Sequence, residues 1–134
     1  MFVCGDNRKN QLSLGYLIDA YNRWTRLMND VLIQHISLEF DHNFIQNQIG
    51  QMFVFGESID GQLGLSDEET IREPRLLMTD SSIQLICCCA NFTLMKESNS
   101  NVFSCGANRH GQLDLGNTEN LNVFQLINQQ KKTT

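Results

Sequence analysis

Short apolar runs alternate with polar turns along the second half of the chain. Residues 83–88 and 92–96 are apolar-leaning and have the length of a strand, and residues 102–105 form a third run. The segment between the last two, residues 97–101, is built of Glu, Ser and Asn, and Asn and Ser favour turns because their side chains hydrogen-bond the local backbone. The pattern predicts antiparallel strands joined as hairpins, with a last short strand at 75–78 or 123–127.

This pattern recurs at intervals of about fifty residues, which is the signature of a repeat architecture. A glycine precedes a Gln-Leu pair by six residues in three places: Gly5 with Gln11, Gly56 with Gln62, and Gly106 with Gln112. The connecting segments match as well, since residues 27–36 resemble residues 77–86 at an offset of fifty. Two copies of one unit are expected to share one structure.

The repeat helps with an ambiguous segment near the start of the chain. Apolar residues in 16–28 fit helical spacing, and a helix there is the alternative that this spacing leaves open. The equivalent stretch of the next copy contains Pro74, at the position of Trp24, and a central proline disfavours a long helix. We therefore favour extended structure for residues 16–28.

Four short strands in about fifty residues match one blade of a β-propeller. The predicted fold class is all-β, an incomplete β-propeller of antiparallel four-stranded blades. Residues 1–134 are predicted to form a single domain with a partial repeat at 1–34, a repeat at 35–84 and a last, truncated repeat at 85–134. Open blade edges at both ends predict possible self-association.

The repeated phrase identifies the kind of propeller. WD repeats carry Gly-His and Trp-Asp and kelch repeats carry a Gly-Gly doublet, and none of these dipeptides occurs here. Residues 102–116, with Val-Phe-Ser-Cys-Gly followed by Gly-Gln-Leu-Asp-Leu-Gly, resemble the repeat of the regulator-of-chromosome-condensation family, and residues 53–65 match it again. The chain departs from that family at its tryptophan, replaced by Cys4, Phe55 and Cys105, and at loop glycines replaced by Asn10 and Asp114.

The repeated markers are predicted to have structural roles. A glycine ends the strand where a β-carbon would obstruct a turn or a neighbour, and the leucines of the following loop return to the core. The residues concerned are Gly56, Gln62, Leu63, Gly64, Gly106, Gln112, Leu113 and Gly116.

Charge and composition narrow the partners. The net charge of −5 argues against duplex nucleic acid, because phosphate binding needs a basic face. No apolar run is long enough for a membrane span, and the first fifteen residues do not have the pattern of a secretory signal. The expected location is intracellular, cytoplasmic with the nucleus as the alternative.

The five cysteines are expected to be free thiols in a reducing compartment. Cys87, Cys88 and Cys89 are consecutive, and neighbours on a strand point to opposite faces, so the three are not expected to converge on one metal. Small buried hydrophobes are the favoured interpretation, with zinc or a redox role as alternatives. We predict no metal site and no cofactor.

The resemblance implies a partner-binding face. In family members that act as nucleotide exchange factors, Asp and His residues just before the His-Thr-Leu strand of the repeat, which corresponds here to residues 92–96, lie on the face that binds a small GTPase, and the matching positions are Asp41, His42 and Asn91. The alternatives are a solvated carboxylate for Asp41 and a hydrogen bond to backbone within its own blade for His42.

No catalytic constellation emerges from the sequence, so an enzyme is not predicted. Three functions stay open. The first is an interaction module that presents propeller loops to a protein partner. The second is guanine-nucleotide exchange on a small GTPase, and the third is a fragment without independent function.

Overall fold

The computed structural model of the chain describes residues 1–14, 20–26, 32–67 and 69–127, with side chains described outside 20–26. Within these ranges the chain forms ten strands and no helix. The strands are β1 Phe2–Asp6, β2 Ala20–Arg26, β3 Ile33–Leu38, β4 His42–Asn47, β5 Gln51–Gly56, β6 Ile71–Thr79, β7 Ile83–Cys89, β8 Phe92–Glu97, β9 Val102–Gly106 and β10 Leu121–Leu126.

The strands form three antiparallel sheets in chain order, which confirms the predicted fold class. Strands β3 to β6 form one four-stranded sheet and β7 to β10 another, each an uncrossed meander, while β1 and β2 form a two-stranded sheet. We call these sheets blade 2, blade 3 and blade 1, respectively. The two complete blades begin at Ile33 and Ile83, two residues ahead of the repeat boundaries at 35 and 85.

The segment with helical spacing contains a strand. Residues 20–26 are β2, in agreement with the extended structure favoured from the repeat, and the rest of 16–28 lies outside the described residues. The equivalent strand of blade 2, β6, runs through Pro74. Its pairing with β5 shifts register between Val54, opposite Arg75, and Gly56, opposite Ile71, so the proline lies in a bulge of an outer strand, where it removes no ladder hydrogen bond.

One apolar cluster joins blades 2 and 3. Strand β7 packs against β3 and β4, and the ring of Phe44 lies edge-on to that of Phe124 on β10, with centroids 6.2 Å apart. The buried members of the cluster are Phe44, Ile45, Met52, Val54, Phe55, Leu63, Ile71, Ile83, Ile86, Cys88 and Met95. The core therefore lies between the sheets, as stacked blades require.

The part of the chain that the structure describes contains no helix with the length and apolarity needed to cross a lipid bilayer.

Candidate functional site

The three Gly-Gln-Leu loops close on themselves with the same hydrogen bonds. In each loop the side-chain amide oxygen of the glutamine accepts the backbone N–H of the residue two positions earlier. The donors and acceptors are Lys9 and Gln11 at 2.9 Å, Asp60 and Gln62 at 3.0 Å, and His110 and Gln112 at 3.0 Å. The glutamine thus closes the turn locally, which gives a physical reason for its presence in all three copies.

A second polar residue completes each loop. The N–H of the leucine that follows the glutamine donates to the side-chain oxygen of a residue five positions earlier. The pairs are Leu12 with Asn7 at 3.0 Å, Leu63 with Ser58 at 3.4 Å, and Leu113 with Asn108 at 3.0 Å. The leucine side chains are buried, and Leu63 and Leu113 are fully so. Each loop is a small folded unit with an apolar anchor.

The departures from the family's loop glycines preserve the backbone shape. Asn10, at the position of Gly61, has a φ of 58°, and Asp114, at the position of Gly64, has a φ of 54°. Asn and Asp are the non-glycine residues that enter this left-handed region most readily. Gly116 also has a positive φ, of 77°, and is exposed.

The blade glycines allow a close backbone approach. Gly56 and Gly106 have φ values of 106° and 107°. A β-carbon at either would collide with backbone atoms at the start of the preceding strand. At Gly106 it would lie 2.5 Å from the carbonyl oxygen of Asn91 and 2.6 Å from the Cα of Phe92. The same carbonyl accepts the N–H of Ala107 at 2.8 Å, as that of Asp41 accepts the N–H of Glu57 at 2.6 Å.

Two of the three loops also contact the next blade through the backbone of their glutamine. The backbone carbonyl of Gln62 accepts the hydroxyl of Thr93 at 2.8 Å, and the thiol of Cys105 lies 3.5 Å from it. At the preceding seam the carbonyl of Gln11 accepts the side-chain amide of Asn43 at 2.7 Å. Asn43 and Thr93 are repeat equivalents, so the two seams are joined at the same position by different side chains.

The predicted partner-binding residue His42 lies inside the seam between blades 2 and 3. It has no solvent exposure, and its Nε2 is 3.0 Å from the hydroxyl oxygen of Thr93. Because that hydroxyl already donates to Gln62, the Nε2–H of His42 is the donor here. The Nδ1 is buried without a hydrogen-bond partner among the described residues. The hydrogen-bond partner of the His42 Nε2 is thus a side chain of the next blade. The sequence had left open a hydrogen bond to backbone within the blade of His42 itself.

Burial sets the protonation state of this ring. Loss of solvation lowers the pKa of His42 to about 4, although Glu39 and the backbone of Phe92 act in the opposite direction. The imidazole is therefore neutral at physiological pH, consistent with a donor at Nε2 and a bare Nδ1.

Asn91 lies at the rim of the same seam. Its side-chain amide donates to one carboxylate oxygen of Asp60 at 3.0 Å, and the amide of Asn120 donates to the other at 2.8 Å. The guanidinium of Arg109 lies 4.0 Å from Asp60. Asp60, on the blade 2 loop, therefore contacts three polar residues of blade 3.

Asp41, the repeat equivalent of Asn91, lies half-buried at the rim of the seam between blades 1 and 2. Partial burial and the nearby carboxylate of Glu57 raise the pKa of its carboxyl group, and Lys9 opposes them. The ammonium of Lys9 is 2.6 Å from the Glu57 carboxylate. The structure thus places Asp41 and Asn91 at equivalent rim positions and His42 beneath them.

Sequence reasoning missed the residues that bridge the rim. Lys9 and Asp60 occupy the same repeat position, four residues after the blade glycine, and both contact the following blade. Their equivalent in the third copy is the exposed His110. A comparison of this position across copies would have drawn attention to it, because its residue type changes while the glutamine two residues later is retained.

The cysteines are free thiols in the structure. Cys88 is buried, its Sγ lies 3.4 Å from the carbonyl oxygen of Ser37, and burial raises the pKa of its thiol to about 12. Cys87 and Cys89 share the opposite face of β7, with their sulfurs 3.5 Å apart. The described ranges contain no group of three or more His, Cys, Asp or Glu side chains arranged to hold a metal ion.

Comparison with known families agrees with the repeat geometry. A sequence model described as the regulator of chromosome condensation (RCC1) repeat matches residues 50–95. The chain is built from RCC1-type repeats. It resembles the human X-linked retinitis pigmentosa GTPase regulator, with 34% identity over 101 residues, covering 74% of this chain and 10% of that protein. It also resembles the bovine secretion-regulating guanine nucleotide exchange factor, with 32% identity over 117 residues, covering 84% of this chain and 25% of that protein.

Solved RCC1-type structures show the same fold. Prp20p from Saccharomyces cerevisiae, a protein with binding properties to Gsp1p and histones, superposes with a TM-score of 0.85 at 16% identity. The match covers 98% of this chain and 34% of Prp20p. This RCC1-type chain therefore spans between a tenth and a third of the length of the relatives it matches.

Proposed function

We propose that this chain is a protein-interaction module whose blade rim contacts a protein partner. The observation that carries the proposal is the rim itself, where equivalent positions of successive repeats bring Asp41 and Asn91 to the loop ends of a rigid, hydrogen-bonded scaffold. Binding residues concentrate on loops that a scaffold positions. The names of the two relatives, a GTPase regulator and a guanine nucleotide exchange factor, support a protein partner.

Asp41 is the proposed direct contact. Desolvation and the carboxylates of Glu57, Asp6 and Glu39 raise the pKa of Asp41, and Lys9 opposes them. A basic surface on the partner would lower the pKa of Asp41 and relieve this repulsion. Asn91 is the second proposed contact, at the next seam, and His42 holds the backbone beneath Asp41 in place.

Affinity capture with the whole chain as bait tests the proposal. We expect a reproducible protein partner that is retained with the wild-type chain and lost with Asp41→Asn. Asp114→Asn is the matched control, because Asp114 is an exposed loop carboxylate on blade 3 and asparagine tolerates its positive φ. Failure to recover any reproducible partner, or equal recovery with Asp41→Asn, would contradict the proposal.

Guanine-nucleotide exchange on a small GTPase is the second candidate, favoured by the name of the bovine relative. An exchange factor acts by binding the nucleotide-free state of its partner more tightly than the loaded state, so it needs a surface and no reacting groups. The test is release of a fluorescent guanine nucleotide from candidate GTPases with and without this chain. No acceleration at micromolar protein would exclude the activity for this chain.

Two further proposals concern self-association and cellular location. Within the described residues β10 pairs as a strand only with β9, although the carbonyl of Asn122 at its start accepts the N–H of Ser66. We propose that the rest of its outer edge can pair with a second copy, and sedimentation velocity across a concentration series measures this. We place the protein in the cytoplasm, with the nucleus as the alternative, which fluorescence microscopy of the tagged chain distinguishes.

A further inference from the structure

Strand β7 carries two cysteines whose side chains lie beside each other. The sulfur atoms of Cys87 and Cys89 are 3.5 Å apart. Residues two positions apart on a strand point to the same face of a sheet, so the pair follows from the extended backbone of β7. Cys88, between them, points to the other face, where its sulfur lies 3.4 Å from the carbonyl oxygen of Ser37. The pair is therefore a dithiol that is separate from the buried cysteine between its members.

The backbone of β7 disfavours a disulfide between these two cysteines. Alternate residues of a strand have Cα atoms about 6.7 Å apart, and disulfides span Cα separations of at most about 6.8 Å. An S–S bond is about 2.05 Å long, so the sulfurs would have to approach each other by about 1.5 Å. Cys87 is paired with Leu94 and Cys89 with Phe92 on β8, so the strand cannot shorten without losing this pairing.

The same spacing suits a metal ion that both sulfurs bind. A zinc–sulfur bond is about 2.3 Å long, and two such bonds at the tetrahedral angle place their sulfurs about 3.8 Å apart. The two cysteine sulfurs are already within about 0.3 Å of this separation. Thiolate sulfur also prefers soft and borderline cations, zinc among them. An ion of this class therefore fits the pair with the pairing of β7 and β8 unchanged.

The electrostatic surroundings of the pair favour a cation. Burial, the neighbouring Cys87 and the carboxylate of Glu39 raise the pKa of Cys89 to about 11. The negative potential that opposes loss of the thiol proton also attracts a positive ion, and a coordinated thiol gives up its proton. Cys87 is exposed, so an ion in solution can reach the pair.

We propose that Cys87 and Cys89 form a dithiolate site for a divalent cation of the zinc group, with solvent in the remaining coordination positions. Each thiol releases its proton to solvent as the ion binds, and no electron is transferred. The sequence argument against a metal site concerned all three consecutive cysteines together, and it does not exclude this pair. The proposal goes beyond the rim interaction, because it uses neither Asp41 nor Asn91 and its ligand is a metal ion, so either proposal can fail without the other.

Titration of the whole, reduced chain with Cd²⁺ in the absence of oxygen tests the proposal, because cadmium bound to thiolate has a charge-transfer absorption band in the ultraviolet. We expect one Cd²⁺ per chain, bound with micromolar affinity and displaced by Zn²⁺. Cys87→Ser and Cys89→Ser should each weaken binding by about tenfold or more, since even the loss of a second-shell partner costs about tenfold. Cys4→Ser removes a free thiol from β1 and is the matched control, which should leave binding within about twofold.

A second readout does not depend on the absorption band. Zn²⁺ should raise the melting temperature of the wild-type chain and leave that of Cys89→Ser unchanged, because an ion that binds only the folded state stabilises it. Three outcomes would overturn the proposal. They are the absence of a saturable cadmium band, an unchanged band in either serine variant of the pair at the wild-type urea midpoint, and ready closure of the pair to a disulfide by oxidised glutathione, seen as the mass loss of two hydrogen atoms. The last outcome would assign the pair to thiol–disulfide chemistry.

Discussion

The seams on the two sides of blade 2 use the same repeat positions and differ in what covers them. Between blades 2 and 3, Ile86 is 9% exposed, whereas its equivalent at the other seam, Ile36, is 48% exposed. Both are isoleucines at the same point of an inner strand. The difference shows that burial in a repeat protein is set by the neighbouring blade and not by the residue itself.

The polar contacts of the seams differ in chemistry as well. The seam between blades 2 and 3 is closed by neutral amides around the carboxylate of Asp60, together with the buried His42–Thr93 pair. The seam between blades 1 and 2 is closed by Asn43 and by the ion pair of Lys9 with Glu57. We expect acid to weaken the seam between blades 2 and 3, and salt to weaken the seam between blades 1 and 2.

The largest predicted effect is a difference in stability between alanine substitutions at two glycines with nearly the same φ. Gly56→Ala should cost more than about 4 kcal/mol of the free energy of unfolding, because its β-carbon meets backbone that cannot move. Gly5→Ala, with φ of 118° and no atom of the described residues within 4 Å of the added β-carbon, should cost only the backbone strain, about 1–2 kcal/mol. Urea unfolding of both variants measures the difference, and equal costs would show that the two seams are equally filled.

The second prediction concerns acid. The pKa of His42 is about 4 when folded and 6.5 in its ordinary state, so the stability that its neutral form provides is complete above pH 6.5 and declines as the pH falls toward 4. A shift of this size corresponds to about 3 kcal/mol at most. His42→Gln keeps a donor for Thr93 without titrating, and it should flatten the pH profile between 6.5 and 4. Urea titrations of the wild type and of His42→Gln across this pH range measure the two slopes, and equal slopes would contradict the prediction.

A smaller effect on stability is expected from the removal of a single methyl group. Ile86→Val should lower the free energy of unfolding by about 1 kcal/mol, because it leaves a small void between blades. Ile36→Val should change it by less than about 0.5 kcal/mol, since its side chain is half-exposed. Chemical denaturation resolves the two, and an equal loss would mean that Ile36 is covered in solution.

The smallest effect is expected at the ion pair. Lys9→Gln removes the contact with Glu57, and we expect a slight fall in melting temperature at low ionic strength that disappears in high salt. Calorimetry at two salt concentrations checks this. A loss that persists in high salt would assign Lys9 a packing role instead.

The sequence predicted the local structure well for a physical reason. The apolar runs and the polar turn near residues 97–101 dictate β7 to β9 through contacts close in the chain, and the fifty-residue period extended the result to β3 to β6. The position of His42 could not be predicted, because periodicity identifies equivalent residues without saying which neighbour covers them. The role of Asp60 depends on Asn91 and Asn120, which are distant in sequence and come together only when blades stack.

The glutamine at the end of each loop has a consequence for how the protein is made. Gln62 is held by an N–H only two residues upstream, so its loop can assume its final form before Thr93 has left the ribosome. Each newly synthesised blade would then pack against a loop of the preceding blade that has already folded. Assembly would proceed from the first blade to the last without waiting for distant segments.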